Sequence, residues 1–157
     1  MRCLAADSSM PAKGGATMRF MIIVKATEES EAGVMPEEEL FDEMATYHEE
    51  LMKAGVLLDA SGLHPSSKGW RVRYGGSGPT TVDGPFAESK ELIAGYTLIE
   101  VDSREEALEW SRRFPNPRGR GRPCEIEVRQ LFELDDFEPS PAIDRFREME
   151  VQGQTGE

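Results

Sequence analysis

The segment RFMIIVK, residues 19 to 25, is apolar at consecutive positions and rich in β-branched side chains. A stretch this short reads as a strand rather than a helix. A strand sends alternate side chains to opposite faces, so both faces of this one must be covered. GYTLIEV, residues 95 to 101, repeats the demand, with Thr97, Ile99 and Val101 on one face and Tyr96 and Leu98 on the other. Whatever else the chain builds has to shield a sheet from two sides.

Two helices are available for that task. The first is predicted from Pro36, at the first helical position, with Glu37, Glu38 and Glu39 opposing the macrodipole and Gly55 as its stop. Leu40, Phe41, Met44, His48, Leu51 and Met52 follow the three-and-four spacing of its buried face. The second opens at Ser103, with Glu106 placed to complete a capping box, and runs to about Phe114. Its buried side is Ala107, Leu108, Trp110, Ser111 and Phe114, while Arg112 and Arg113 suit the negative end of the dipole.

Between the helices, WRVRYG alternates as a half-buried strand with Trp70, Val72 and Tyr74 on one side, and the turn GGSGP leads to TTV, completing a hairpin. GGSG joins two strands rather than a strand and a helix, so it is a turn and not a phosphate loop. Residues 84 to 94 read as a turn with one helical turn. EIEVRQLF is the last strand, with Ile126, Val128 and Phe132 inward.

Strand, helix, hairpin, strand, helix, strand is the order of an α+β, ferredoxin-like βαββαβ unit with an extra turn or helix, both helices lying on one side of an antiparallel sheet. The other side stays apolar and bare, so a second copy is its expected cover, in a homodimer with sheets face to face. The domain spans residues 18 to 137. Residues 1 to 17 read as a disordered N-terminal extension, or as an upstream start with Met18 the native first residue, and residues 138 to 157 as a C-terminal tail with a short helix.

Charge narrows the partners. With 30 acidic against 18 basic residues and a net charge of −12, the chain repels nucleic-acid phosphates. No apolar run approaches the ~20 residues of a membrane span, and the opening segment lacks the apolar core of a signal peptide, so a cytoplasmic protein is expected. Cys3 and Cys124 are far apart and read as reduced thiols, and no metal-ligand spacing is present. The charge is laid out in blocks: residues 26 to 52 hold ten acids and no Lys or Arg, residues 110 to 124 five arginines and no acid. Each block reads as a solvated surface, and the arginine loop alternatively as a grip for an anionic ligand or an acidic partner.

In DGPFAESKE, residues 83 to 91, Asp83-Gly84-Pro85 makes a turn, and Glu88, Ser89, Lys90 and Glu91 either bind a polar ligand or solvate a helical turn. This stretch resembles the DGPF family, the YCII-related proteins named for DGPFAETKE, with Ser89 in place of threonine. The likeness continues in the same order through GVLLDASGLHPSSKG, ELIAGYTLIEV, EEALEWSRRFPNP and EIEVRQLFE. It implies a dimeric α+β barrel with no cofactor. It also implies cofactor-free acid–base chemistry of lyase, isomerase or dehalogenase type on a small organic molecule in a cleft near the dimer interface. The alternative is a non-catalytic, ligand-sensing or regulatory protein associated with an extracytoplasmic-function sigma factor.

The resemblance further implies a histidine of the first helix paired with an aspartate near the end of the sheet, which makes His48 and Asp83 the catalytic candidates. A carboxylate orients an imidazole and raises its basicity for proton transfer near neutral pH. Counted back from Gly55, the family's histidine falls at Met44, one turn before His48 on the same face. The other reading of His48 is a partly buried imidazole satisfied by a neighbouring hydroxyl or backbone group. His64 and Lys68 in GLHPSSKG, together with Glu88, Ser89 and Lys90, are the ligand-binding candidates. The competing reading of His64 is a rigid pre-proline connector.

Overall fold

The apolar run demanded by the sequence forms β1 (Met18–Lys25), an inner strand of the main sheet, in a computed structural model that describes residues 16–87 and 89–155. The elements after it are α1 (Glu28–Glu31), α2 (Glu38–Lys53), β2 (Leu57–Gly62), β3 (Trp70–Arg73), β4 (Thr80–Asp83), β5 (Ile93–Val101), α3 (Arg104–Arg112), β6 (Ile126–Gln130) and α4 (Pro141–Thr155). Four strands make an antiparallel sheet in the order β2-β5-β1-β6, and β3 and β4 pair separately. The fold is therefore α+β with antiparallel sheets. The expected extension falls mostly on residues 1–15, which lie outside the described residues, as does Cys3. Cys124 is a free, exposed thiol.

Register sorts the two faces. Phe20 opposes Ile99, and Ile22 opposes Thr97 and Val128, on the side where α2 and α3 pack. Ile22, Leu51 and Ile99 are fully buried there, with Val56, Val101, Ala107 and Trp110 around them. The Tyr47 hydroxyl donates to the Trp110 carbonyl at 2.9 Å, joining α2 to α3 inside the core. The other face carries Met21, Ile23, Tyr96 and Leu98, all half-buried.

Several sequence expectations are corrected. The second strand of the main sheet is β2, not the hairpin. In β2 the pairing shifts between Leu57 and Asp59. This bulge breaks the period of two, which is why the segment does not read as a strand. The hairpin stands apart, and its expected half-buried residues are outside: Trp70 is 64% exposed, Val72 43% and Tyr74 83%. Phe132 points outward too, its ring tilted against Phe137 with centroids 5.1 Å apart. The tail forms a 15-residue helix, longer than the short one expected.

Both predicted helices form, with altered details. Glu37 occupies the N-cap position of α2 without a side-chain cap bond, so Pro36 precedes it instead of occupying the first turn. The helix ends as expected at Gly55, with φ of 70°. There the Gly55 amide donates to Met52 and the Val56 amide to Leu51, each at 3.0 Å, in a Schellman closure that only a left-handed residue completes cheaply. The buried face is turned slightly: Tyr47 and Leu51 are inside, while Phe41 and Met52 are exposed. At α3 the Ser103 hydroxyl accepts from the Glu106 amide, whereas the Glu106 carboxylate takes the Asp102 amide rather than that of Ser103. Leu108, expected inside, is exposed.

Candidate functional site

His48 projects from α2 toward the helix-covered face of the sheet. Its Nδ1 lies 2.7 Å from the Met44 carbonyl, which can only accept, so Nδ1 carries the proton. Its Nε2 lies 2.9 Å from the hydroxyl of Thr97, and in the neutral tautomer that hydroxyl donates to it. Thr97 is 2% exposed, so this bond satisfies a buried hydroxyl as well as the imidazole. Tyr47 and Phe114 meet the imidazole edge-on, with centroids 5.5 and 6.4 Å away. Met44, at the position where the resemblance places a histidine, contributes the carbonyl that orients His48.

Asp83 ends β4, opposite Trp70, and is exposed. Among the described residues, no hydrogen bond or ion pair joins it to His48. The residues after it clamp a loop. The Gly84 amide donates to the Gly69 carbonyl at 2.9 Å, and the Phe86 amide to the Ser66 hydroxyl at 3.0 Å. The Ser66 hydroxyl donates in turn to the Glu31 carboxylate, which also accepts the Ser66 amide at 3.0 Å. The approach is so close that a Cβ on Gly84 would lie 1.9 Å from the Ser66 carbonyl oxygen. The Arg71 guanidinium covers the Phe86 ring at 3.9 Å.

His64 and Lys68 are exposed on the clamped loop, which leaves the sheet where the Leu63 amide donates to the Ala94 carbonyl at 2.8 Å. Lys90 is exposed in the 3-10 turn Ser89–Glu91 just before β5. Glu88 lies outside the described residues, as does the Ser89 side chain. The loop and the DGPF segment therefore share one end of the sheet, while His48 sits beneath the other face.

Sequence reasoning missed a polar couple on the open face. Asp59 accepts the Ala60 amide at 2.9 Å through one carboxylate oxygen and the Tyr96 hydroxyl at 3.0 Å through the other. The signal was half present, since Tyr96 reads as facing away from Thr97, but the β2 bulge hid Asp59. Among the described residues no group of three or more His, Cys, Asp or Glu is placed to hold a metal.

The two charge blocks meet each other. Arg122 pairs with Glu29 at 2.9 Å, Arg120 with Glu43 at 2.6 Å, and Arg113 with Glu50. Arg122 holds the Glu29 carboxyl below its usual range, chiefly through their hydrogen bond, and Glu29 raises Arg122 in return. The acidic partner open to the arginine loop is the chain's own, across a cleft of about 450 Å³. These pairs are surface contacts of small energetic weight.

No described helix is long and apolar enough to cross a membrane. A family model described as the YCII-related domain matches residues 18–133, and the chain belongs to that family. It is also similar to an uncharacterized protein of Rhizobium meliloti (strain 1021), with 30% identity over 80 residues, 51% of this chain and 64% of that protein.

Proposed function

We propose, starting from membership of the YCII-related family, that this chain is a cytoplasmic homodimer that binds a small organic molecule in a ligand-sensing role, without catalysing its conversion. The strand order β2-β5-β1-β6, with α2 and α3 on one face, supports a ferredoxin-like reading. The apolar open face of Met21, Ile23, Tyr96 and Leu98 supports a second copy as its cover, closing a dimeric barrel. The ligand cleft of this reading is at the end of the sheet where the loop of His64 and Lys68 leaves β2 and the segment of Asp83, Ser89 and Lys90 leads into β5. An extracytoplasmic-function sigma factor is the proposed target of the signal.

The observation that carries the reading is the occupancy of His48. With Nδ1 committed to Met44 and Nε2 to Thr97, Asp83 has no imidazole to orient and His48 no free lone pair for a substrate proton. Lyase, isomerase or dehalogenase chemistry through a His48–Asp83 pair needs that arrangement broken. The test combines two measurements on the full chain. Sedimentation equilibrium at micromolar protomer returns the dimer mass, and a monomer refutes the dimer. Imidazole 15N spectra show His48 protonated at Nδ1 and unprotonated at Nε2, with the pattern unchanged in Asp83→Asn. A pattern that changes in that variant establishes the pair and replaces the sensing role with the acid–base enzyme.

A further inference from the structure

We infer that Asp59 and Tyr96 form a recognition site for a small primary amine carried on an apolar body. This rests on the proposed dimer and its cleft, read as running from that end of the sheet between the two copies over Tyr96 and Asp59.

The backbone brings the two side chains together by a specific device. Leu57 opposes Ile99 on the core face, so regular alternation would send Asp59 to the core as well. The pairing shift after Leu57 sets Asp59 opposite Leu98 and returns Ala60 to the core opposite Thr97. The extra residue, Leu58, is thus inserted where it keeps a carboxylate out of the core and aims it across the open face. Tyr96, opposite Ser61 on the same face, is a diagonal neighbour of Asp59, and its hydroxyl reaches the carboxylate at 3.0 Å. Bulges gather at sheet edges and next to active sites, and on this edge strand the bulge re-aims Asp59.

Among the described residues two carboxylates on this face, Glu100 and Asp59, make no ion pair, and Glu100 lies opposite Arg19. Arg19 is held by Glu133 at 2.9 Å, Lys25 by Glu127 at 3.1 Å, and Arg129 also lies by Glu127. Among the described residues Asp59 has no cation, its oxygens receiving only the Ala60 amide and the Tyr96 hydroxyl. A carboxylate has about four lone-pair sites, so this one retains unfilled acceptors, and the donating Tyr96 hydroxyl retains its own lone pairs. An ammonium with three N–H donors fits both oxygens at once, and an alcohol with one donor does not. Leu98 and Ile23 beside the couple supply an apolar floor for the rest of the ligand, and the net charge of −12 draws cations and repels carboxylates.

The experiment titrates the 15N-labelled full chain with phenethylamine, and in parallel with 2-phenylethanol and phenylacetate. Phenethylamine is expected to give saturable shifts at Ile23, Tyr96 and Leu98. The alcohol should bind about tenfold or more weakly, and phenylacetate should not saturate. Asp59→Asn is expected to weaken the amine about tenfold or more, with Tyr96→Phe intermediate and both variants retaining the wild-type spectrum elsewhere. Absence of saturable shifts, equal binding of phenylacetate, or undiminished binding by both variants overturns the site. Sedimentation of the same samples separates this from the preceding reading. A dimer that ignores the amine refutes the Asp59 site alone, and a monomer that binds it at these residues refutes the dimer alone.

Discussion

Replacing Thr97 by valine keeps the bulk of a side chain that is 2% exposed but deletes the hydroxyl bonded to His48 Nε2 at 2.9 Å. The imidazole is then left with an unpaired nitrogen in a half-buried site. An unsatisfied buried polar group costs about 1–3 kcal/mol, and the partial exposure of His48 places Thr97→Val in the lower part of that range. His48→Phe strands the Thr97 hydroxyl instead, at the centre of the sheet, and costs about 2 kcal/mol or more. The double variant puts apolar groups on both sides of the former bond, where no orphan remains. It is expected to be more stable than the sum of the single changes by about 1–1.5 kcal/mol. At this chain length each kcal/mol moves the melting midpoint by about 2–4 °C. Urea denaturation at one fixed protomer concentration supplies the three differences, since a dimer's stability depends on concentration. A coupling below about 0.3 kcal/mol would mean that His48 and Thr97 act independently and would refute the structural role assigned to the imidazole. The companion cycle of His48→Phe with Asp83→Asn is expected to be additive.

Gly84→Ala drives a methyl group to within 1.9 Å of the Ser66 carbonyl oxygen, so the clamp through Gly69, Phe86 and Glu31 has to open. The expected loss is about 2–4 kcal/mol, with the amides of Gly69, Gly84 and Phe86 exchanging faster, and unchanged exchange at all three contradicts the clamp. Tyr47→Phe removes the bond to the Trp110 carbonyl and should cost about 1–3 kcal/mol. Burial pushes the Tyr47 phenol above its ordinary value, so the folded state holds this proton more tightly than the unfolded chain. Its contribution is complete below about pH 10 and is lost as pH rises above it. Alkaline denaturation curves should therefore fall less steeply for Tyr47→Phe than for the wild type, and parallel curves would contradict the assignment.

Local patterns in the sequence determined a good deal. Consecutive apolar residues in β1, alternation in β5, the Gly55 stop and the Ser103 cap are signals spanning a few residues, and each became the element it announced. The need to cover both faces of β1 was also readable from RFMIIVK alone. The strand β2 was not, because a bulge at Leu58 destroys the period of two on which strand recognition depends. Trp70, Val72 and Tyr74 alternate as a buried strand does, yet they lie on a free-standing hairpin, since alternation reports two unlike faces and not what packs against either. His48 stood at the correct spacing for the helix face, but its partners could not be deduced from that spacing. Tertiary structure chose Thr97 over Asp83, because a hydrogen bond is decided by which side chains distant in sequence the sheet register and helix packing bring within 3 Å, and periodicity along one chain segment carries no information about that.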